Sequence, residues 1–339
     1  ETKVNYTPSS YFEYNIVNDE IIITGYNDLA PKDVVFPSHI DGYPITQIAD
    51  NAMENMDLLS VKLPYRLGSI GEASFRNNLL TAIVIPDGIT EIAPYAFAQN
   101  NLTEITLPQG IIMIGDGAFY HNNLTTVDIP NSVITIDYRA FYYNSITSLV
   151  IPDNVTRIGV SAFSANNIQS VTFPDGLIEI DRYAFYNNQI ETVTLPDSVT
   201  NLGGAAFGWS RISTFNLGPN SNFIIENNLL LSKDETLLIA AMSHMTSVII
   251  PDTVTTIGID AFYESGLQSV TIPNSVITID ERAFYFTNLT ELVIPDSVIT
   301  IGDDAFDGTD LTSLTIGNNV TSIGRWAFSN LQVTTLVIP

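Results

Sequence analysis

Apolar and polar positions along most of the chain recur with a period of 22 residues. An Ala-Phe pair marks the phase at Phe97, Phe119, Phe141, Phe163, Phe185 and Phe207, preceded by Ser74-Phe75, and resumes at Phe262, Phe284, Phe306 and Phe328. One unit begins Leu102-Thr103-Glu104-Ile105-Thr106-Leu107-Pro108. Its apolar residues at the fourth and sixth places alternate as a short strand requires. Proline followed by Asp or Asn supplies turn chemistry. A second extended piece, such as Val155-Thr156-Arg157-Ile158-Gly159, comes next. The Ala-Phe pair then closes the unit in a tight turn, predicted to be helical or 3₁₀. A single unit cannot bury its Leu, Ile and Phe side chains alone, whereas stacked units bury them in one core. The pattern therefore predicts a repeat solenoid with a parallel sheet.

Seven such units fill 58–211 and four fill 245–332, with a half unit at 333–339. Between them, 212–244 is an irregular unit of 33 residues without an Ala-Phe turn. There Asn222–Ile225, Leu229–Leu231 and Thr236–Ile239 are separated by turn residues, which predicts a β-hairpin element packed on the flank. The segment 1–57 reads as an N-terminal cap, a hairpin around Val17-Asn18-Asp19 followed by a stretched first coil. All four parts are expected to form one continuous domain. An Asn three residues after the Phe (Asn78, Asn100, Asn122, Asn144, Asn166, Asn188) is placed to bond the backbone of adjacent coils.

Composition narrows the function. There are 12 Lys and Arg against 37 Asp and Glu, a formal charge of −25, so the clustered cations that nucleic-acid binding needs are missing. No apolar run reaches the 18 or so residues of a membrane span. The absence of cysteine removes disulfides, thiol catalysis and zinc–thiolate sites. His39, His121 and His244 have no repeated acidic or Ser partner, and no nucleophile, phosphate-loop or metalloprotease motif occurs. No enzyme activity, cofactor or metal is expected. The acidic row Asp87, Asp153, Asp175, Asp197, Asp252 and Asp296 reads as turn carboxylates rather than a calcium site.

The pattern Leu-x-x-Ile-x-Ile-Pro-Asp-x-Val-x-x-Ile-Gly-x-x-Ala-Phe, phased over about 58–339, resembles the BspA-like class of leucine-rich repeats. The resemblance implies a right-handed, curved solenoid. It also implies a secreted or surface-anchored bacterial protein that binds host or neighbouring-cell proteins, with matrix proteins and glycoproteins among the candidates.

Function in a solenoid sits on stripes of repeated positions. The strand face carries polar residues such as Thr103, Glu104, Thr106, Asp128 and Thr172, which suit an exposed strand by propensity alone. The less generic stripe follows the Ala-Phe pair: Tyr120, Tyr142, Tyr143, Tyr186 and Trp209 are the candidate ligand-binding residues. Packing along the ridge between coils is the competing reading of these rings. The expected function is non-enzymatic adhesion or protein recognition. The alternatives are a structural spacer presenting other domains and a glycan-binding accessory domain. The strand half ending at Pro339 lacks its turn, so the chain is expected to continue or to associate end to end with another copy.

Overall fold

The computed structural model describes residues 5–337. Ile338 and Pro339 of the terminal half unit lie outside the described residues. Two compact units divide between Leu177 and Ile178.

In the first unit the coils build two parallel ladders, the first of which is interrupted at 126–128, where no strand forms. Glu104–Thr106 pairs with Ala82–Val84, residue for residue at an offset of 22. Met113–Ile114 pairs in the same way with Glu91–Ile92 and Thr135–Ile136. The strands stay at two or three residues because the proline after each first strand cannot donate to a ladder. Ile83, Ile92 and Ile114 point into the core, while Glu104, Thr106 and Val84 point outward.

The Ala-Phe corner is a third ladder. The Ala96 N–H donates to the Ala93 carbonyl and the Ala98 N–H to the Tyr95 carbonyl, both i to i+3 bonds of 3₁₀ type. The intervening N–H groups of Tyr95, Phe97 and Gln99 instead reach the Asp116, Ala118 and Tyr120 carbonyls of the next coil at 2.8, 2.9 and 2.7 Å. Left-handed backbone at Tyr95 (φ 55°) and Gln99 (φ 56°) turns these amides outward and keeps the segment from closing into a helix. Among the described residues the one helical segment is the 3₁₀ turn Ser9–Tyr11.

Stacked corners place the phenylalanines in a column. Phe75, Phe97, Phe119 and Phe141 are fully buried, with centroids 5.4–5.7 Å apart and planes within 12° of parallel. The asparagine row locks this column. The Asn122 side-chain amide donates to the carbonyls of Phe97 and Phe119 at 3.0 and 3.2 Å, and its Oδ1 accepts the Leu102 N–H at 3.0 Å. Asn100 and Asn144 repeat the arrangement. One buried amide thus satisfies backbone groups of two coils.

The N-terminal hairpin pairs Phe12–Val17 with Glu20–Tyr26 through Asn18 and Asp19, both left-handed as a type I′ turn requires. Glu20–Tyr26 then pairs in parallel with Tyr43–Ile48, and that strand with Ser69–Ile70, so the hairpin starts the second ladder. Phe12 stacks on Phe36 at 4.8 Å and meets Tyr26 at 5.2 Å, giving the segment a small aromatic core of its own.

The second unit repeats the coil plan and restarts it once. Phe223–Glu226, Leu229–Ser232 and Leu237–Ala241 form an antiparallel meander, with left-handed Asn227 and Asn228 at its first turn. Its last strand pairs in parallel with Thr256–Ile257. The meander therefore stands in line with the second ladder instead of lying on the flank. The cause is visible in Leu229, Leu230 and Leu231, three consecutive residues buried to 1% exposure or less. Such a strand needs cover on both faces. The following coils stack regularly, with Phe262–Phe284, Phe284–Phe306 and Phe306–Phe328 at 5.0, 5.1 and 5.4 Å.

Candidate functional site

The candidate rings occupy two adjacent places after each Phe. The first place (Tyr120, Tyr142, Tyr186) is half-buried, and the second (His121, Tyr143, Trp209) is exposed. The second place is left-handed in every coil: φ is 55° at His121, 58° at Tyr143 and 50° at Trp209. The place two residues before each Phe is left-handed as well, as at Tyr95, Arg139, Tyr183 and Trp326. Neither place holds Val, Ile or Thr in any coil, as the steric cost of a branched Cβ in this region demands.

In the first unit the rings form two columns. Tyr120 stacks on Tyr142 at 5.6 Å and 17°, and His121 on Tyr143 at 4.7 Å and 7°. The Arg139 guanidinium lies 4.8 Å from the Tyr138 centroid and 5.2 Å from that of Tyr142. This contact holds the flank of the inner column and adds one positive charge to an acidic chain. The sequence reading found Tyr120, Tyr142 and Tyr143 but not His121, Tyr138 or Arg139. The 22-residue offset between His121 and Tyr143 was the available signal.

Tyr186 and Trp209 belong to a different environment in the second unit. They stack on each other at 6.1 Å, the Tyr186 hydroxyl donates to Glu264, and Trp209 Nε1 donates to the Glu264 carbonyl at 3.2 Å. Trp209 thus braces its own coil, and Tyr186 the coil before it, against the coil beyond the meander. Beside them Asp260 is a buried hub. Its Oδ2 accepts from Arg182 at 3.1 and 3.2 Å, and its Oδ1 accepts from Arg282 Nε at 2.8 Å and the Tyr183 hydroxyl at 2.9 Å. Burial pushes the Asp260 carboxyl up to about 6, against the pull of Arg182 and the Tyr183 hydroxyl. Burial, followed by the Asp260 charge, raises the Tyr183 phenol. Arg182 and Tyr183 reach across the intervening coil because Gly204 stands there; a Cβ on it would overlap the Ile259 carbonyl oxygen. This hub is invisible in the sequence, because Arg182 is 78 residues from Asp260 and lies on the other side of the irregular unit.

The strand face is less polar than its threonines suggest. Val84, Val150, Ile249 and Val293 point outward at 65–71% exposure, between the polar places. Asp296 and Asp197 of the acidic row do not cap their own turns in these bonds but reach the next coil: Asp296 accepts the Asn318 N–H at 2.7 Å and Asp197 the Asn220 N–H at 3.2 Å. Among the described residues no group of three or more His, Cys, Asp or Glu is placed to hold a metal. No helix there is long and apolar enough to cross a membrane.

Comparison with solved structures finds the same fold at low identity. A leucine rich cell surface protein of Faecalibacterium prausnitzii is 24% identical, with a TM-score of 0.67 over 99% of this chain and 95% of that one. A leucine-rich repeat protein of Bacteroides ovatus is 21% identical, with a TM-score of 0.56 over 97% and 92%. The pneumococcal vaccine antigen PcpA is 22% identical, with a TM-score of 0.55 over 98% and 89%. No curated protein matches the sequence. The family model for the BspA type Leucine rich repeat region matches 32–147, 134–234 and 240–339, nearly the whole chain. On that match, and on the 22-residue coils that carry it, the chain belongs to the BspA-type leucine-rich-repeat family.

Proposed function

We propose that this chain is a non-enzymatic recognition module of a secreted or cell-surface protein, and that a protein partner seats on the ring columns at 120–143. The observation that carries this reading is the exposed outer column. Tyr143 is 54% exposed, stacked on His121, and held in left-handed backbone where Asn or Gly would be less strained. These two rings lie outside the core, which leaves their outer faces available for contact. Rigid rings with apolar bodies and polar tips are the usual anchors of protein interfaces. A cell-surface setting agrees with the similarity to the leucine rich cell surface protein of Faecalibacterium prausnitzii.

The test is binding to a panel of immobilised extracellular-matrix proteins and glycoproteins. The chain is expected to bind at least one with a Kd near ~1 μM, and the double variant His121→Asn, Tyr143→Asn to bind at least ~10-fold more weakly while folding normally. Asparagine suits the left-handed backbone, so the substitution removes rings without adding strain. If the wild-type chain binds no member of the panel, the spacer reading takes precedence. If the double variant binds like the wild type, the contact lies off these columns.

A further inference from the structure

The phenylalanine column of the second unit is interrupted. Phe185 stacks on Phe207 at 5.4 Å, but the meander has no Ala-Phe turn to supply the next ring, and the column resumes only at Phe262. Phe207 meets Phe215 edge-on instead, at 6.2 Å and 70°. A cavity of about 200 Å³ lies at the interruption, walled by Phe207, Trp209, Phe215, Ile239, Phe262 and Tyr263.

Two further residues of its wall point to an occupant. The corner place held by a bridging Asn in the coils of 58–189 is Ser210 on one side of the meander and Ser265 on the other. Both hydroxyl oxygens are buried and have no hydrogen-bond partner among the described residues, and Ser210 is only 6% exposed. Ser74, Ser132, Ser275 and Ser297 also bury unpaired hydroxyls, but among these serines only Ser210 and Ser265 line this cavity, where a bound molecule can reach them. The shorter side chains also leave the room that an asparagine would fill.

We infer that this cavity is a binding site for a small neutral ring bearing one hydroxyl, a ligand of the phenol class. Its size fits, since an apolar cavity of about 150 Å³ holds benzene. The ring's hydroxyl answers Ser210, the more deeply buried of the two. Charge selects against an anion: the wall contains Asp260 and Glu264 and no Lys or Arg. It offers little to a cation, because Asp260 is engaged by Arg182 and Arg282 and Glu264 by Tyr186. This site is independent of the recognition surface proposed above.

The experiment uses the whole chain with Trp326→Phe, which leaves Trp209 in the cavity wall as the single tryptophan. Phenol, benzene and benzoate are titrated against Trp209 emission. Phenol is expected to saturate with a Kd of about 1 mM or tighter, and benzene and benzoate to bind at least ~10-fold more weakly. Ser210→Ala is expected to bring phenol close to benzene, and Ser210→Asn, the residue of the coils before it, to abolish saturation with an unchanged circular dichroism spectrum. Absence of saturation by phenol overturns the inference and assigns the hydroxyls to water. Equal binding of phenol and benzene, or undiminished phenol binding by Ser210→Ala, overturns it as well. Should Ser210→Asn fail to fold, the Ser210→Ala and benzene comparisons still decide.

Discussion

At the scale of the residue, this fold depends on a few places whose demands are strict. Each Phe of the column is sealed by its neighbours, so Phe119→Ala is expected to cost about 3–5 kcal/mol in urea unfolding. Asn122 holds two coils through one side chain. Replacing it with Ala strands the Leu102 N–H in the core and is expected to cost about 2 kcal/mol. The reverse change is equally informative. Thr287 is buried in the asparagine place but bonds only the Phe284 carbonyl of its own coil, at 3.1 Å. Thr287→Asn should reach the previous coil as well and stabilise by about 1 kcal/mol. The left-handed places carry a separate signature. Tyr143→Val should destabilise by about 1–2 kcal/mol relative to Tyr143→Asn, because only the branched side chain clashes there. These places were legible as columns of identical phase. Their backbone conformation was not, because Tyr, Arg and Trp at a φ near 55° announce nothing in a sequence; only the missing Val, Ile and Thr do.

At the scale of the element, two irregular segments use one device. The hairpin of 12–26 and the meander of 223–241 each start a second ladder by presenting a strand to the next coil. The hairpins themselves were readable from Val17-Asn18-Asp19 and Asn227-Asn228. The in-line position of the meander was not, since three adjacent leucines fit a flank element or a covered strand equally well until their neighbours are known. The Asp260 hub fastens the coils on either side of the meander, and its titration has a definite sign. A folded-state pKa of about 6 stands above the usual unfolded value of about 3.9, so the folded chain binds more protons between them. The resulting stability is complete below about pH 4 and lost as pH rises through about 6. Asp260→Asn removes this dependence. The wild type is therefore expected to lose stability relative to the variant between about pH 4 and 6, as read from their melting temperatures. A wild type that gains on the variant over that range would mean that arginine attraction outweighs burial.

At the scale of the whole molecule, a formal charge of −25 and a pI near 4.1 set the long-range behaviour. Self-repulsion among exposed carboxylates is screened by salt, so the melting temperature should rise between low and physiological ionic strength. The same field favours basic partners and speeds their encounter. The two-ladder coil and the phenylalanine column were legible because 22-residue phasing is a property of the sequence itself. The division of the candidate rings between an exposed pair of columns and a brace across the meander was not, because it follows from which coils touch. That division underlies the functional proposal, in which the columns at 120–143 contact the partner. Hydroxyl-radical footprinting of the chain, free and bound to a partner identified from the matrix and glycoprotein panel, tests it most directly. The account predicts protection of His121, Tyr142 and Tyr143 in the complex, with Trp209 unchanged. Protection confined to the strand face around Val84 and Val150, with these rings oxidised as in the free chain, would contradict it.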